Sequence, residues 1–455
     1  MKDINRRELI KKLGLGALVS TVACNNMKSH SYDEHDVFSK EVPSKKLTAI
    51  VLGAGSRGNV YGNYAVKFPE ELDIVGVAEP IPIRRERFSK RHNIPEDKQF
   101  VTWEHVFDQA KFADIIIVTT PDNLHYGPAM AALSNDYDML LEKPIAQQWQ
   151  ECADILALQK EKDAIVAVCH VLRYSPYYRK VKEVIESGVL GKLISVQHFE
   201  PIEHVHMSHS FVRGNWRVEK DTNPIILAKS CHDLDILRWW IDEPCEYVSS
   251  FGSLSWFKKE NAPEGAPLRC TDGCPIESEC PYSAIQIYMR EKQRRYVFDL
   301  PDDPDKHDDA VMEFIKTGPY GRCVYHCDND VNDHQVVSMQ FKSGVTANFN
   351  MEAFTAYHGR RTRIMGSMGC LVGDEADLHI ANFRNDSLEH WNTKENSKIS
   401  SGHGGGDWGL MKDFLLAVDK QDASLLSSNL DASMDSHQLG FMAEVSRKEK
   451  RMVKI

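Results

Sequence analysis

Leu47-Thr48-Ala49-Ile50-Val51-Leu52-Gly53-Ala54-Gly55-Ser56-Arg57-Gly58 is a short, mostly apolar run that breaks into three glycines. A continuous apolar run, rather than an alternating one, predicts a strand buried on both faces. Glycines in G-x-G-x-x-G spacing then predict a tight turn that opens a helix. The first permits the turn, the second lets the backbone approach a pyrophosphate, and the third lets helix and strand pack closely. The helix N-terminus then faces the phosphates. Alone the pattern is weak. Here the next predicted strand, Asp73–Ala78, ends at Glu79, where an acid would take the ribose hydroxyls. Gly53, Gly55, Ser56, Arg57, Gly58 and Glu79 are therefore candidate dinucleotide contacts. Glu79 favours NAD, because a carboxylate repels a 2′-phosphate, while Arg84 and Arg85 leave NADP open.

Outward from this stretch the strand–helix rhythm continues. Ala113–Thr119, Tyr137–Leu141 and Ala164–Cys169 read as further strands, and Leu124–Ser134 and Ala146–Lys160 as helices. Such alternation predicts an α/β fold with a right-handed, doubly wound parallel sheet. Its span is 45–170. After Gly191 the rhythm changes. Leu193–Phe199, Tyr247–Trp256, Gln335–Phe341 and Val345–Met351 read as extended segments, and Ser433–Lys448 as a helix. This predicts a second domain, 171–455, of α+β type with a large, mostly antiparallel open sheet. Its C-terminal helix could pack back on the first domain.

The chain has 455 residues, 42% hydrophobic and 27% charged, with a formal net charge of -11. That is a globular mix, and its acidity argues against nucleic-acid binding. Residues 1–44 read as an address and a tether. Asn5-Arg6-Arg7-Glu8-Leu9-Ile10-Lys11 resembles a twin-arginine export signal, and the apolar stretch Leu13–Ala23 is too short to span a bilayer. It ends at Cys24, a candidate lipidation site. The expected location is the periplasm or the membrane surface, or the cytoplasm should the leader not act as a signal. Outside the cytoplasm no soluble nicotinamide pool exists, so a protein working there would hold its cofactor tightly.

Four further stretches resemble the Gfo/Idh/MocA oxidoreductases, the glucose–fructose oxidoreductase and inositol dehydrogenase group. They are Thr120-Pro121-Asp122-Asn123-Leu124-His125, then Glu142-Lys143-Pro144, then His170-Val171-Leu172-Arg173-Tyr174-Ser175-Pro176, then Cys231-His232-Asp233-Leu234-Asp235. The resemblance runs from about Thr48 to the C-terminus and is looser after the first 240 residues. It implies a Rossmann domain, a second domain whose open sheet face makes an oligomer contact in many members, and bound NAD(P). It adds Thr120, Pro121, Asn123, His125, Glu142 and Arg173 to the cofactor contacts, beside Arg84, which its place near Glu79 already suggests. It implies that Lys143 and His232 handle the proton of a sugar hydroxyl beside the nicotinamide. Partial desolvation suits a lysine to such acid–base work. The sequence departs from the family pattern before His232. Ala228 stands where an Asp is usual and Ser230 where a Gly is usual, with Lys229 between them. Lys229 or Tyr174 would then assist Lys143 and His232.

Other polar groups suit a carbohydrate pocket. His206, with His204 two residues before it, would share one strand face, and Trp216 and Arg217 offer a ring and a planar donor. A two-histidine metal site is a minority reading, for no third ligand stands nearby. His403 lies in Gly402-His403-Gly404-Gly405-Gly406-Asp407, similar to a stretch of the NAD-dependent α-N-acetylgalactosaminidases of the same superfamily. Five of the eleven cysteines cluster. Cys270, Cys274 and Cys280 with Cys327 could hold a structural zinc, or the cluster could form disulfides in an exported protein.

Two enzymatic readings follow. The first is an NAD(P)-dependent sugar oxidoreductase with tightly held cofactor. The second is a glycosidase on the same fold, which oxidises a hydroxyl, eliminates the aglycone, adds water and restores the hydride. A non-catalytic sugar-binding protein explains neither Lys143 nor His232.

Overall fold

The structure, a computed structural model, describes residues 41–396 and 401–455. The twin-arginine stretch and Cys24 lie outside the described residues. None of the described helices is long and apolar enough to cross a membrane.

Six strands form a parallel sheet: β1 (Leu47–Leu52), β2 (Leu72–Ala78), β3 (Gln99–Phe100), β4 (Ile115–Val118), β5 (Asp138–Leu141) and β6 (Val166–Val168). Their order is β3-β2-β1-β4-β5-β6. The order reverses between β1 and β4, which both pair with their neighbours in parallel. In such sheets ligands bind at this switch point, beyond the carboxyl ends of the strands. The glycine turn follows β1, Glu79 follows β2, the Thr120 loop follows β4 and Glu142-Lys143 follows β5. Chain topology thus brings four separate motifs to one edge. β3 escaped the sequence pattern because two residues carry no periodicity.

Nine strands form the second sheet: β7 (Leu193–Pro201), β8 (Cys245–Ser253), β9 (His334–Phe341), β10 (Thr346–Glu352), β11 (Arg361–Gly366), β12 (Gly369–Gly373), β13 (Asp377–Asn382), β14 (Ser387–Asn392) and β15 (Val453–Lys454). The order is β14-β13-β12-β11-β7-β10-β9-β8-β15. All pairs are antiparallel except β7 with β10. One face of β9 is buried and the other exposed, in strict alternation, as an antiparallel sheet with one wet face requires.

Two C-terminal helices join the domains. Leu410, Met411, Phe414 and Leu415 of helix Gly406–Lys420 share a core with Leu47, Ala49 and Val51 of β1. Leu430 and Met434 of helix Leu430–Glu449 pack with Val166 and Val168 of β6. The same helix places Leu439 and Ala443 in the core of the nine-stranded sheet. Between β8 and β9 an inserted segment builds its own small core from Ala284, Ile287, Tyr288, Phe298, Val311 and Ile315.

Candidate active site

The glycine turn is built as a cradle. Gly53 has φ +99, and a Cβ there would lie 2.7 Å from the Thr119 carbonyl oxygen. A Cβ on Gly58 would fall 2.0 Å from the Gly53 carbonyl oxygen, so helix and turn are in direct backbone contact. A Cβ on Gly55 would meet nothing within 4 Å. Helix Ser56–Lys67 begins there with no side-chain cap and no acid in its first turn, and Ser56 is exposed at its head. Open space over an uncapped helix N-terminus fits the diphosphate of a dinucleotide. Glu79 is buried beside it. Its carboxylate accepts from the Ala54 amide at 2.8 Å and the Ile81 amide at 3.0 Å.

Arg57 turns away from the cradle, against expectation. It donates from Nε to Glu142 Oε1 at 2.5 Å and from Nη2 to Asp407 Oδ1 at 2.7 Å. Two buried carboxylates there need a cation, since an unpaired buried charge is strongly unfavourable. Glu142 also accepts from Tyr61 Oη at 2.8 Å and from the Lys143 amide at 3.0 Å. It therefore braces Lys143 rather than contacting the cofactor directly. In the Thr120 loop, Pro121 and Asn123 are exposed, and Thr120 Oγ1 donates to the Leu124 carbonyl at 2.9 Å. His125 is buried, with Nδ1 2.6 Å from the Pro144 carbonyl and Nε2 3.0 Å from the Thr120 carbonyl. It ties this loop to the Lys143 segment. Trp216 Nε1 donates to Asp122 Oδ1 at 3.0 Å, while Asp122 Oδ2 is buried without a protein partner. Trp216 is thus spent on the loop beside the cofactor edge.

Lys143 and His232 do converge. Lys143 Nζ donates to the Ala228 carbonyl at 2.8 Å, four residues before His232. His232 sits in the first turn of helix Cys231–Ile241 with Nδ1 buried and unpartnered. Its ring centroid lies 5.6 Å from that of His403 and 6.2 Å from that of His170. Burial first, and Lys143 second, push its pKa well below the usual histidine value. The ring is therefore neutral at neutral pH and able to accept a proton. His170 opens the His170–Pro176 motif. It is fully buried with neither ring nitrogen hydrogen-bonded, Nε2 lying 3.6 Å from Asp235 Oδ1, and burial depresses its pKa likewise.

His403 has φ 53 and leads through Gly404 and Gly405, both left-handed, into helix Gly406–Lys420. Its Nδ1 lies 3.1 Å from Asp407 Oδ1. Burial opposes ionisation of Asp407, but the Arg57 guanidinium and then His403 hold its carboxyl below the usual carboxylate range. An ionised Asp407 orients the His403 ring, the relation of a carboxylate to a general base. The i, i+4 spacing of His403 and Asp407 was visible in the sequence, though not its meaning.

A floor of buried ions lies on the second domain's side. Lys229 Nζ stands 3.0 Å from Glu200 Oε1. Arg360 pairs with Glu200 at 2.7 Å and Asp233 at 2.5 Å. His198 Nε2 is 3.0 Å from Asp233 Oδ1. Arg360, Glu200 and His198 carry no motif, so sequence reasoning missed them. His204 and His206 form a helical turn, Glu203 to Met207, rather than a strand face. Burial and then Lys229 lower the pKa of His206.

Four further expectations fail. Tyr174 does not reach the cleft: its hydroxyl is 2.9 Å from Ser428 Oγ and accepts from the Ser428 amide at 3.0 Å. Arg173 is not at the cofactor; it makes a buried bidentate pair with Asp235 at 2.7 and 2.6 Å. Arg217 pairs with Asp328 of the insert at 2.8 Å. Cys270, Cys274, Cys280 and Cys323 line one small pocket with the buried Arg213. Cys327 instead donates through Sγ to the Cys323 carbonyl at 3.3 Å. All ten described cysteines are free thiols. No group of three or more His, Cys, Asp or Glu among the described residues is arranged to hold a metal ion. The zinc expectation is therefore unsupported: three of its four thiols line this pocket, but Cys327 is turned to a backbone carbonyl and no metal-holding geometry results.

Comparison with known proteins agrees with this architecture. Residues 47–170 match the oxidoreductase family's NAD-binding Rossmann fold, and residues 182–455 match its C-terminal alpha/beta domain. A Bacillus subtilis protein named as an oxidoreductase, YteT, is 26% identical over 78% of this chain and 84% of its own length. An inositol 2-dehydrogenase/D-chiro-inositol 3-dehydrogenase of Lactiplantibacillus plantarum is 21% identical over 47% of this chain and 57% of its own. A levoglucosan dehydrogenase complexed with NADH and L-sorbose superposes with a TM-score of 0.68 at 16% identity, covering 90% of this chain and 99% of that one. The glycine cradle, the Lys143–His232 convergence and the two-sheet fold together make this chain an enzyme of the Gfo/Idh/MocA oxidoreductase family, with an NAD-binding Rossmann domain.

Proposed function

We propose that the chain oxidises a secondary hydroxyl of a sugar or polyol, using a tightly held NAD. The observation that carries this is the meeting of Lys143 and the neutral His232 at the carboxyl edge of the parallel sheet. Bound in the glycine cradle, the dinucleotide supplies a hydride acceptor. The protein's task is the proton. The neutral His232 imidazole accepts it from the substrate hydroxyl as the carbinol carbon becomes a carbonyl, and Lys143 Nζ stabilises the developing negative oxygen. Glu142 holds the Lys143 backbone, and Lys229 with Glu200 faces the remaining hydroxyls. The named substrates of the relatives, inositol and levoglucosan among them, support a polyhydroxylated ligand. Incubation with NAD and a sugar panel tests this. Net formation of reduced nicotinamide is expected from at least one free sugar or polyol.

The His403–Asp407 pair beside His232 favours a second reading, a redox-neutral glycosidase. Elimination and water addition need a second acid–base group, and His403 would supply it. Release of an aglycone without net nicotinamide reduction distinguishes that outcome.

Export by the twin-arginine route, lipidation at Cys24 and assembly through the open sheet are part of the proposal. The last is supported by exposed Ile194, Phe251, Val336, Val372 and Leu388 on the nine-stranded sheet. Cell fractionation and sedimentation of the mature chain test them.

A further inference from the structure

We propose that Asp299, in the segment inserted between β8 and β9, makes this enzyme select NAD over NADP by occupying Arg84. The inference rests on the dinucleotide reading above and names a determinant outside the Rossmann domain.

Helix Pro82–His92 begins three residues after Glu79 and carries Arg84, Arg85 and Arg87 in its first half. Arg85 Nη1 donates to the Glu79 carbonyl at 2.5 Å, so it is engaged by the strand end. Arg84 Nε donates to Asp299 Oδ1 at 2.8 Å. Arg87 Nη2 donates to the Leu300 carbonyl at 2.7 Å and to Asp302 Oδ1 at 2.6 Å. Asp299 and Asp302 belong to the insert, far along the chain. Their mount is firm. Phe298 is buried in the insert's own core, and Leu300 packs against it. Asp299 is therefore held opposite Arg84 by its neighbours on both sides.

A 2′-phosphate is recognised by a guanidinium placed beyond the second strand, often in bidentate fashion. Arg84 is the cation placed to do this, five residues after Glu79. With Asp299 in contact it offers no net charge, and the added carboxylate, like Glu79, repels a phosphate. The ion pair is about one-third exposed on each side. Its effect on the fold is small, whereas its effect on an incoming dianion is direct. The second domain thereby sets a property usually settled within the first.

The test is a titration of the full chain with NAD+ and with NADP+, followed by tryptophan fluorescence, in wild type, Asp299→Asn and Asp299→Glu. Asp299→Asn is expected to tighten NADP+ binding by roughly fivefold, the size of one partly exposed charge interaction. NAD+ affinity should stay within about twofold, and Asp299→Glu should keep the wild-type preference. An unchanged NADP+ affinity in Asp299→Asn, or equal shifts for both dinucleotides, overturns the assignment to Asp299. If wild type binds neither dinucleotide, the proposed function falls with it. If wild type binds NAD+ and turns over sugar while Asp299→Asn leaves NADP+ untouched, only the role of Asp299 is lost.

Discussion

Two arginines, the half-buried Arg57 and the buried Arg360, brace the two walls of the cleft, and they do so differently. Arg57 gathers Glu142 from the parallel-sheet domain and Asp407 from the C-terminal helix. Through them it holds Lys143 at one end and His403 at the other. Arg360 gathers Asp233, Glu200 and Glu375, all from the second domain. Through them it fixes Lys229 and His198. The first cluster links two domains and ends on Lys143 and His403, the groups proposed to move protons. The second is internal to one domain and ends on a floor. Damage to the first should appear in kcat, and damage to the second in KM and stability.

The comparison is broken most severely at the group the Arg57 cluster supports. Lys143→Met should lower kcat by about 10²–10⁴-fold, the usual worth of a positioned acid–base group, with KM little changed. A steady-state assay on the best sugar of the panel checks this. An unchanged kcat removes Lys143 from the chemistry. Asp407→Asn comes next. It leaves Arg57 with one buried carboxylate and His403 without its orienting charge. Loss of about 3 kcal/mol in denaturant unfolding is expected, together with a fall in kcat. Arg360→Met should cost comparable stability, because the buried Asp233 loses its guanidinium and Glu200 one of its two cations, yet change kcat much less. Equal kcat losses in the two variants would erase the distinction.

A pH experiment sharpens it. His437 accepts from the Ile145 amide at 3.0 Å, just after Lys143-Pro144. Burial first, and His170 second, push its pKa down to about 3. The unfolded chain binds a proton near the ordinary histidine value, and the folded chain does not. Stability contributed by the neutral ring is therefore complete above about 6.5 and is lost as pH falls below it. At pH 5 this single group should cost about 2 kcal/mol relative to pH 7. Unfolding midpoints at the two pH values, in wild type and His437→Gln, report it. The variant should show a shallower pH dependence, and an identical slope would contradict the assignment. The smallest effect is expected at the floor. Lys229→Met leaves Glu200 paired with Arg360 and should raise KM by about tenfold with kcat nearly constant, the signature of lost uniform binding.

Legibility in the sequence followed the reach of each interaction. The strand, glycine turn and helix around Gly53–Gly58 are set by neighbours in the chain, so they were readable. Lys143 and His232 were readable through flanking motifs, and the structure brings them together. Tyr174 and Arg173 stood in the same motif but were misassigned. Their partners, Ser428 and Asp235, lie 254 and 62 positions away, and no local pattern announces such a bond. Arg57 sits in the cradle by sequence, yet its charge is claimed by Asp407, 350 positions on. The cysteine spacing suggested a metal, but ligands must converge in space, and Cys327 points to a backbone carbonyl instead. Strands β11–β14 carry short, mixed patterns that blur periodicity.

The most direct test is a single-turnover experiment on the NAD-loaded wild-type chain, with Lys143→Met and His232→Asn beside it. Mixing with the panel's best sugar should produce a burst of reduced-nicotinamide absorbance in wild type and almost none in either variant. A wild-type protein that binds NAD but reduces none of it with any sugar, polyol or glycoside, or a Lys143→Met protein that matches the wild-type burst, would contradict the account.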